Sequence, residues 1–157
     1  MRRADLFRGL LIYGAGDAAA ALLTGAFGWT RLAGMAGIGA TLYALEIPAW
    51  FRWIDRHEPP GAPAAAWRRT GWALLYFNPL WIARHLFFIR LFAGQSEALS
   101  WTLLSAGTKS FLLNIPIALA ANGLIQNRIP PARRFTASAI FSGLMAVYYA
   151  WSGSWWL

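Results

Sequence analysis

The feature that most constrains this chain is a series of five apolar stretches, over residues 7–28, 32–53, 70–93, 99–125 and 135–156, divided by short polar or proline-bearing connections. A helix needs about 20 apolar residues to cross the hydrocarbon core of a bilayer, and each stretch is of that order. The pattern predicts an all-α integral membrane bundle of five transmembrane helices, forming one domain over residues 1–157. Four crossings are the alternative, with residues 99–125 re-entrant or tilted, because Lys109, Asn114 and Pro116 interrupt that stretch. The connections DRHEPPGAPAAAWRR (55–69) and QNRIPPARR (126–134) combine charge with prolines that deny backbone donors. The opening MRRADLFRGLL sets arginines before an apolar run, as a signal peptide would. The run continues without a small-residue cleavage site and reads as a retained first span.

Composition narrows the chemistry. With 58% hydrophobic and 13% charged residues, the chain is too apolar for an ordinary soluble domain. It has no cysteine and two histidines, His57 and His85, which starves disulfides, thiolate catalysis and Cys/His metal sites. No catalytic residue, cofactor or metal is implied. The net charge of +8 does not point to nucleic acid, because the cations lie between apolar runs rather than on one solvated face. With five crossings and the N-terminus inside, the inner segments hold Arg2, Arg3, Arg8, Arg52, Arg56, Arg68, Arg69, Arg128, Arg133 and Arg134. The outer connections hold Arg31 and Arg90. That bias is the one expected of loops facing an anionic cytoplasmic leaflet. Trp29, Trp53, Trp67, Trp72, Trp101, Trp155 and Trp156 fall near span ends, where an indole anchors at the interface.

Small residues at Gly14, Ala18, Ala21, Gly25 and Gly28 are spaced to line one face of the first span. Gly34, Gly37, Ala40 and Ala44 do the same in the second, so helices can approach closely and a homo-oligomer is open to the chain. Pro79 and Pro116 are candidate kinks. More informative are Asp17, Glu46, Arg84, His85 and Lys109, since a charged group at mid-membrane costs roughly 2.5–3.5 kcal/mol. At a rise of about 1.5 Å per residue, Asp17 and Glu46 lie about 15 and 12 Å from the inner boundary, Arg84 and Lys109 about 21 and 24 Å, and Asn114 about 16 Å. These depths predict a buried polar cluster in which Asp17 and Glu46 oppose Lys109 and Arg84, with Asn114 beside them. Such a cluster either lines a polar pathway or clamps the helices in register.

Several of these residues, taken in order, resemble the family of peroxisomal membrane protein twenty-two and Mpv-seventeen. They are Gly16-Asp17 in the first span, Arg31 before the second, and the run Trp50-Phe51-Arg52-Trp53-Ile54-Asp55-Arg56 at its end. Phe77-Asn78-Pro79 follows in the third, then Pro116, Asn122, Pro130 and Arg134, and Tyr148-Tyr149-Ala150-Trp151 near the close. The chain departs from the family pattern where Ala44-Leu45 replaces Gly-Pro and Ala73-Leu74 replaces Asp-Gln. The resemblance implies a channel-like membrane protein that passes small solutes or ions, of a family with no established catalytic activity.

Three rivals fail on missing partners. Gly14-Ala15-Gly16-Asp17 spells an intramembrane aspartyl-protease motif without its second carboxylate. His85 lacks a second intramembrane ligand for haem, and no strand precedes the Gly14/Gly16 pair to make a dinucleotide fingerprint. A non-transporting assembly subunit with structural charges remains the alternative to a channel. Thirteen of the 14 cations are arginine. With the Ala/Gly richness this suggests a GC-rich genome, a bacterial inner membrane, and an organelle membrane as the second choice.

Overall fold

The computed structural model describes residues 3–62, 64–95 and 101–153, with side chains as far as residue 148. The described chain is all-α. In order it forms α1 (Arg3–Leu23), α2 (Trp29–Ile38), a π turn (Gly39–Tyr43), α3 (Ala44–His57), α4 (Ala65–Tyr76), α5 (Pro79–Phe92), α6 (Thr102–Asn127) and α7 (Pro131–Gly153). The segments α2, π turn and α3 are continuous, a run of 29 residues. This run, α1 and α6 are the three helices among the described residues that are long and apolar enough to cross a membrane.

The expected third stretch is not one helix. Asn78 has extended backbone, and its side-chain oxygen accepts from the amides of Leu80 and Trp81 at 2.9 and 3.1 Å. That N-cap starts a new helix, in which Pro79 occupies the first turn where no amide hydrogen is needed. Pro79 therefore opens α5 rather than kinking a longer span. Pro116 does lie inside α6, where it leaves the Leu112 carbonyl without its helical donor. The helix nevertheless continues for 26 residues, about 39 Å of rise. Trp155 and Trp156 lie outside the described residues.

Close backbone contact sets how the helices seat. A Cβ on Gly9 would stand 2.1 Å from the Gly39 carbonyl oxygen, and one on Gly16 would stand 2.8 Å from the Gly143 Cα. Helix α1 is thereby pressed against the π turn on one side and α7 on the other. Gly14 also packs, since its Cβ would fall 3.2 Å from that of Ala36. Gly25 does not: it has φ +68° with nothing near it, and it closes the turn after α1. The expected stripe through Gly25 and Gly28 is thus replaced by a buried face of Gly9, Tyr13, Gly14, Asp17, Ala20 and Ala21. The remaining core gathers Tyr43, Ile47, Phe51, Ile54, Ala73, Ile125 and Phe135.

Polarity is inverted relative to a water-soluble bundle. Leu22, Leu23, Leu112, Leu113, Ile117, Leu124 and Leu144 are exposed, whereas Asp17, Arg31, Arg69, Asn114, Asn122, Gln126, Arg134 and Ser138 are buried. Trp29, Trp67 and Trp101 stand exposed at helix ends.

Candidate functional site

The buried polar groups fall into three sets along the bundle. Near the α1–α2 turn, Arg31 grips Asp17 with two parallel bonds, Nε to Oδ2 at 2.8 Å and Nη2 to Oδ1 at 2.6 Å. Both side chains are under a tenth exposed. Forked guanidinium–carboxylate geometry is the arrangement that best repays the desolvation of two ions. Arg31 is therefore no loop cation, as its position before the second apolar stretch suggested, but an interior partner carried by the first turn of α2.

At mid-height, Arg84 of α5 donates from Nη1 and Nη2 to Glu46 of α3 at 3.0 and 2.7 Å, and the Tyr76 hydroxyl donates to the same carboxylate at 2.9 Å. This pair stands one third exposed, at the break between α4 and α5. The π turn brings Tyr43 fully inside, where its hydroxyl meets His85 Nδ1 at 2.9 Å. The Trp81 ring stacks on His85 with 5.5 Å between centroids and 5° between planes. A π turn widens the helix and re-aims the side chains that follow it. Pro48, one turn further on, deprives the Ala44 carbonyl of its usual donor.

At the end where α3 leads to α4 and α6 to α7, the Asp55 carboxylate accepts from both Arg69 and, at 2.5 Å, Arg134. Arg69 also donates to the carbonyls of Glu58 at 2.6 Å and Gln126 at 3.3 Å, and Arg134 to that of Ile129 at 2.9 Å. Four helices are tied by one carboxylate and two guanidinium groups. In the adjoining loop, the Arg68 guanidinium at 2.6 Å holds the Glu58 carboxyl below the usual carboxylate range, and Trp72 adds a hydrogen bond at 3.3 Å. That loop tie is intact at neutral pH and weakens only as pH falls through this lowered range.

Between these sets lies a cavity of about 60 Å³ walled by α5, α6 and α7. It has room for several waters, each of which needs roughly 10–15 Å³ on this measure. Asn114 and Asn122 of α6, Trp81 and His85 of α5, and Ser142 of α7 supply its polar lining. The rest is apolar or aromatic, including Phe77, Phe111 and Phe141. The Asn114 amide donates to the Ser110 carbonyl at 2.7 Å and the Asn122 amide to the Ala118 carbonyl at 2.9 Å. A carbonyl only accepts, so both side-chain NH₂ groups are fixed on the backbone and both Oδ1 atoms are left as acceptors. Neither Oδ1 has a partner among the described residues, nor has the Trp81 indole N–H. One turn beyond Asn122, both amide atoms of Gln126 are likewise buried and unpartnered. Asn114, Asn122 and Gln126 lie within about 120° of the α6 circumference and span about 18 Å of its length, ending at the Arg69–Asp55–Arg134 group.

The expected four-charge cluster is thus rearranged. Glu46 and Arg84 meet each other, Asp17 meets Arg31, and Asn114 lines the cavity. Lys109 joins none of them: it is exposed on α6 and makes no ion pair among the described residues. It lies about 10 Å from the start of α6, the end toward which a helical side chain leans. Asn122 and Gln126 were legible as a spacing of four on one helix face but carry no charge to draw notice. Comparison of the chain with protein-family models, with curated proteins and with solved structures finds no match.

Proposed function

We propose that this chain is an integral membrane protein that crosses the bilayer five times and passes small polar solutes through the interval between α5, α6 and α7. The observation that carries this reading is the lane of Asn114, Asn122 and Gln126, three buried amide side chains with unpartnered atoms inside a bundle whose outer face is apolar. Groups of this kind are costly in a lipid-facing protein unless they face a hydrated or ligand-bearing interior. The five crossings are α1, the α2–α3 run, α4 with α5, α6 and α7. The break at Asn78 between α4 and α5 is closed by the side-chain cap on Leu80 and Trp81, which re-satisfies amides that the interrupted helix would leave open. The Lys/Arg bias supports a cytoplasmic position for the Arg69–Arg134 end, and the Arg, Ala and Gly richness supports a bacterial inner membrane as its home. The resemblance to the peroxisomal membrane protein twenty-two and Mpv-seventeen family agrees with a channel-like role and with an organelle membrane as the second location.

Osmotic shrinkage of proteoliposomes challenged with small polar solutes tests the reading. Protein-dependent entry that Asn122→Leu reduces several-fold is the expected result; entry equal to that of protein-free vesicles overturns it. A second reading, a non-transporting assembly subunit, is favoured by the one-third exposure of the Glu46–Arg84 pair on a largely apolar outer face. Lipid cannot solvate that pair, whereas a polar surface on another membrane protein or a second copy can. Co-purification of one stoichiometric partner, lost in Arg84→Met, together with the absence of solute entry, would select this reading.

A further inference from the structure

The proposed passage has a chemistry that sets which solutes it can accept. None of the cavity's lining residues carries a formal charge apart from what His85 could acquire, and the five acids among the described residues are each held by an arginine. Within the cavity, two carboxamide oxygens and one indole N–H offer unused hydrogen bonds between walls of Phe77, Phe111 and Phe141. Stripping an ion of its water costs tens of kcal/mol in a medium this apolar. Filters that repay that cost for cations use full rings of carbonyls or charged side chains. Two amide oxygens do not make a ring, and they repel an anion. A neutral molecule whose N–H or O–H groups face the two oxygens, and whose acceptor faces Trp81 N–H, replaces its water bonds nearly one for one. The two guanidinium groups sharing Asp55 add an uncompensated positive charge at the end of the lane, which further opposes cations.

We infer that the α5–α6–α7 cavity selects small uncharged solutes rich in N–H or O–H donors, of the urea class, and excludes ions of either sign. This rests on the permeation reading above, and the test separates the two. Urea, guanidinium and nitrate are planar, trigonal and similar in size, and differ in charge. Their entry into proteoliposomes, followed by stopped-flow light scattering beside protein-free vesicles, isolates the charge term. Urea should enter at least ten-fold faster through the protein than guanidinium or nitrate. Asn122→Leu, which removes an acceptor, should cut urea entry about five- to ten-fold, the worth of one buried hydrogen bond. Asn122→Asp keeps the side-chain size while adding a negative charge, and should raise guanidinium entry relative to urea. Guanidinium or nitrate entering as fast as urea would overturn the selectivity and leave permeation standing. Background rates for all three solutes in protein of unchanged helicity would overturn permeation itself, and the inference with it.

Discussion

Removing one member of the Asp17–Arg31 pair should damage the fold more than removing both. The two side chains are 2% and 9% exposed and share bonds of 2.8 and 2.6 Å, so neither has water to fall back on when its partner is lost. Arg31→Met strands a carboxylate, Asp17→Asn strands a guanidinium, and breaking a buried pair in this way costs about 3–5 kcal/mol. Replacing both removes the stranded charge. What remains in Asp17→Asn/Arg31→Met is an amide with incomplete hydrogen bonding, costing about 1–3 kcal/mol. The double variant should therefore be more stable than either single variant, with a coupling energy of about 3 kcal/mol or more in a double-mutant cycle. Reversible unfolding in mixed micelles, read by far-ultraviolet circular dichroism and tryptophan fluorescence, gives the four stabilities. Single variants within about 0.5 kcal/mol of the parent, or effects that simply add, would refute the claim that this pair is buried and bidentate. Because neither residue lines the α5–α6–α7 cavity, solute selectivity of the double variant should match the parent.

Other substitutions probe separate parts of the same structure. Gly16→Ala should force α1 and α7 apart, since the new Cβ would lie 2.8 Å from the Gly143 Cα; a loss of about 1–3 kcal/mol in the same unfolding assay is expected. Tyr43→Phe should lose about 0.5–1.5 kcal/mol by removing the hydroxyl bonded to His85, and should shift the emission of the Trp81 indole stacked on that histidine. Asn78→Ala removes the cap that starts α5 and should cost about 1 kcal/mol, with faster amide exchange at Leu80 and Trp81. Arg69→Lys should not substitute well, because one ammonium cannot reproduce the guanidinium's bonds to Asp55, Glu58 and Gln126; a drop in unfolding temperature is expected where a conservative role would leave it unchanged.

Helix positions were legible because apolar length is a one-dimensional property. Residues 7–28 and 32–53 foreshadow α1 and the α2–α3 run closely, and residues 99–125 foreshadow α6, although that stretch had looked the least secure. Charge partners were less legible. Depth along the axis placed Asp17 near Lys109 and Arg84, yet depth says nothing about rotation about the axis, and the α1–α2 turn is short enough to return Arg31 to Asp17. Glu46 and Arg84 meet through their long side chains, although α5 packs on α2 and α6 rather than on α3. The cavity was hidden for a different reason. Its polar atoms belong to Asn114, Asn122, Trp81 and Ser142 on three helices, and uncharged side chains in apolar stretches carry little signal until packing brings them together. Gly25 misled because glycine serves both close packing and left-handed turns, and only its φ distinguishes them.

The central claim, an apolar outer face in lipid around a polar interior lane, can be tested by cysteine accessibility, since the chain has no cysteine of its own. Single cysteines placed at Leu113, Ile117 and Leu124 on the exposed face of α6, and at Ala118, Asn122 and Ser142 along the cavity, would be treated in native membranes with a small water-borne methanethiosulfonate reagent. The account predicts reaction at the cavity positions and protection at the exposed ones, the reverse of the order that exposure to water would give. Rapid labelling of Leu113→Cys, Ile117→Cys and Leu124→Cys with protection of the cavity set would contradict both the membrane setting and the polar lane.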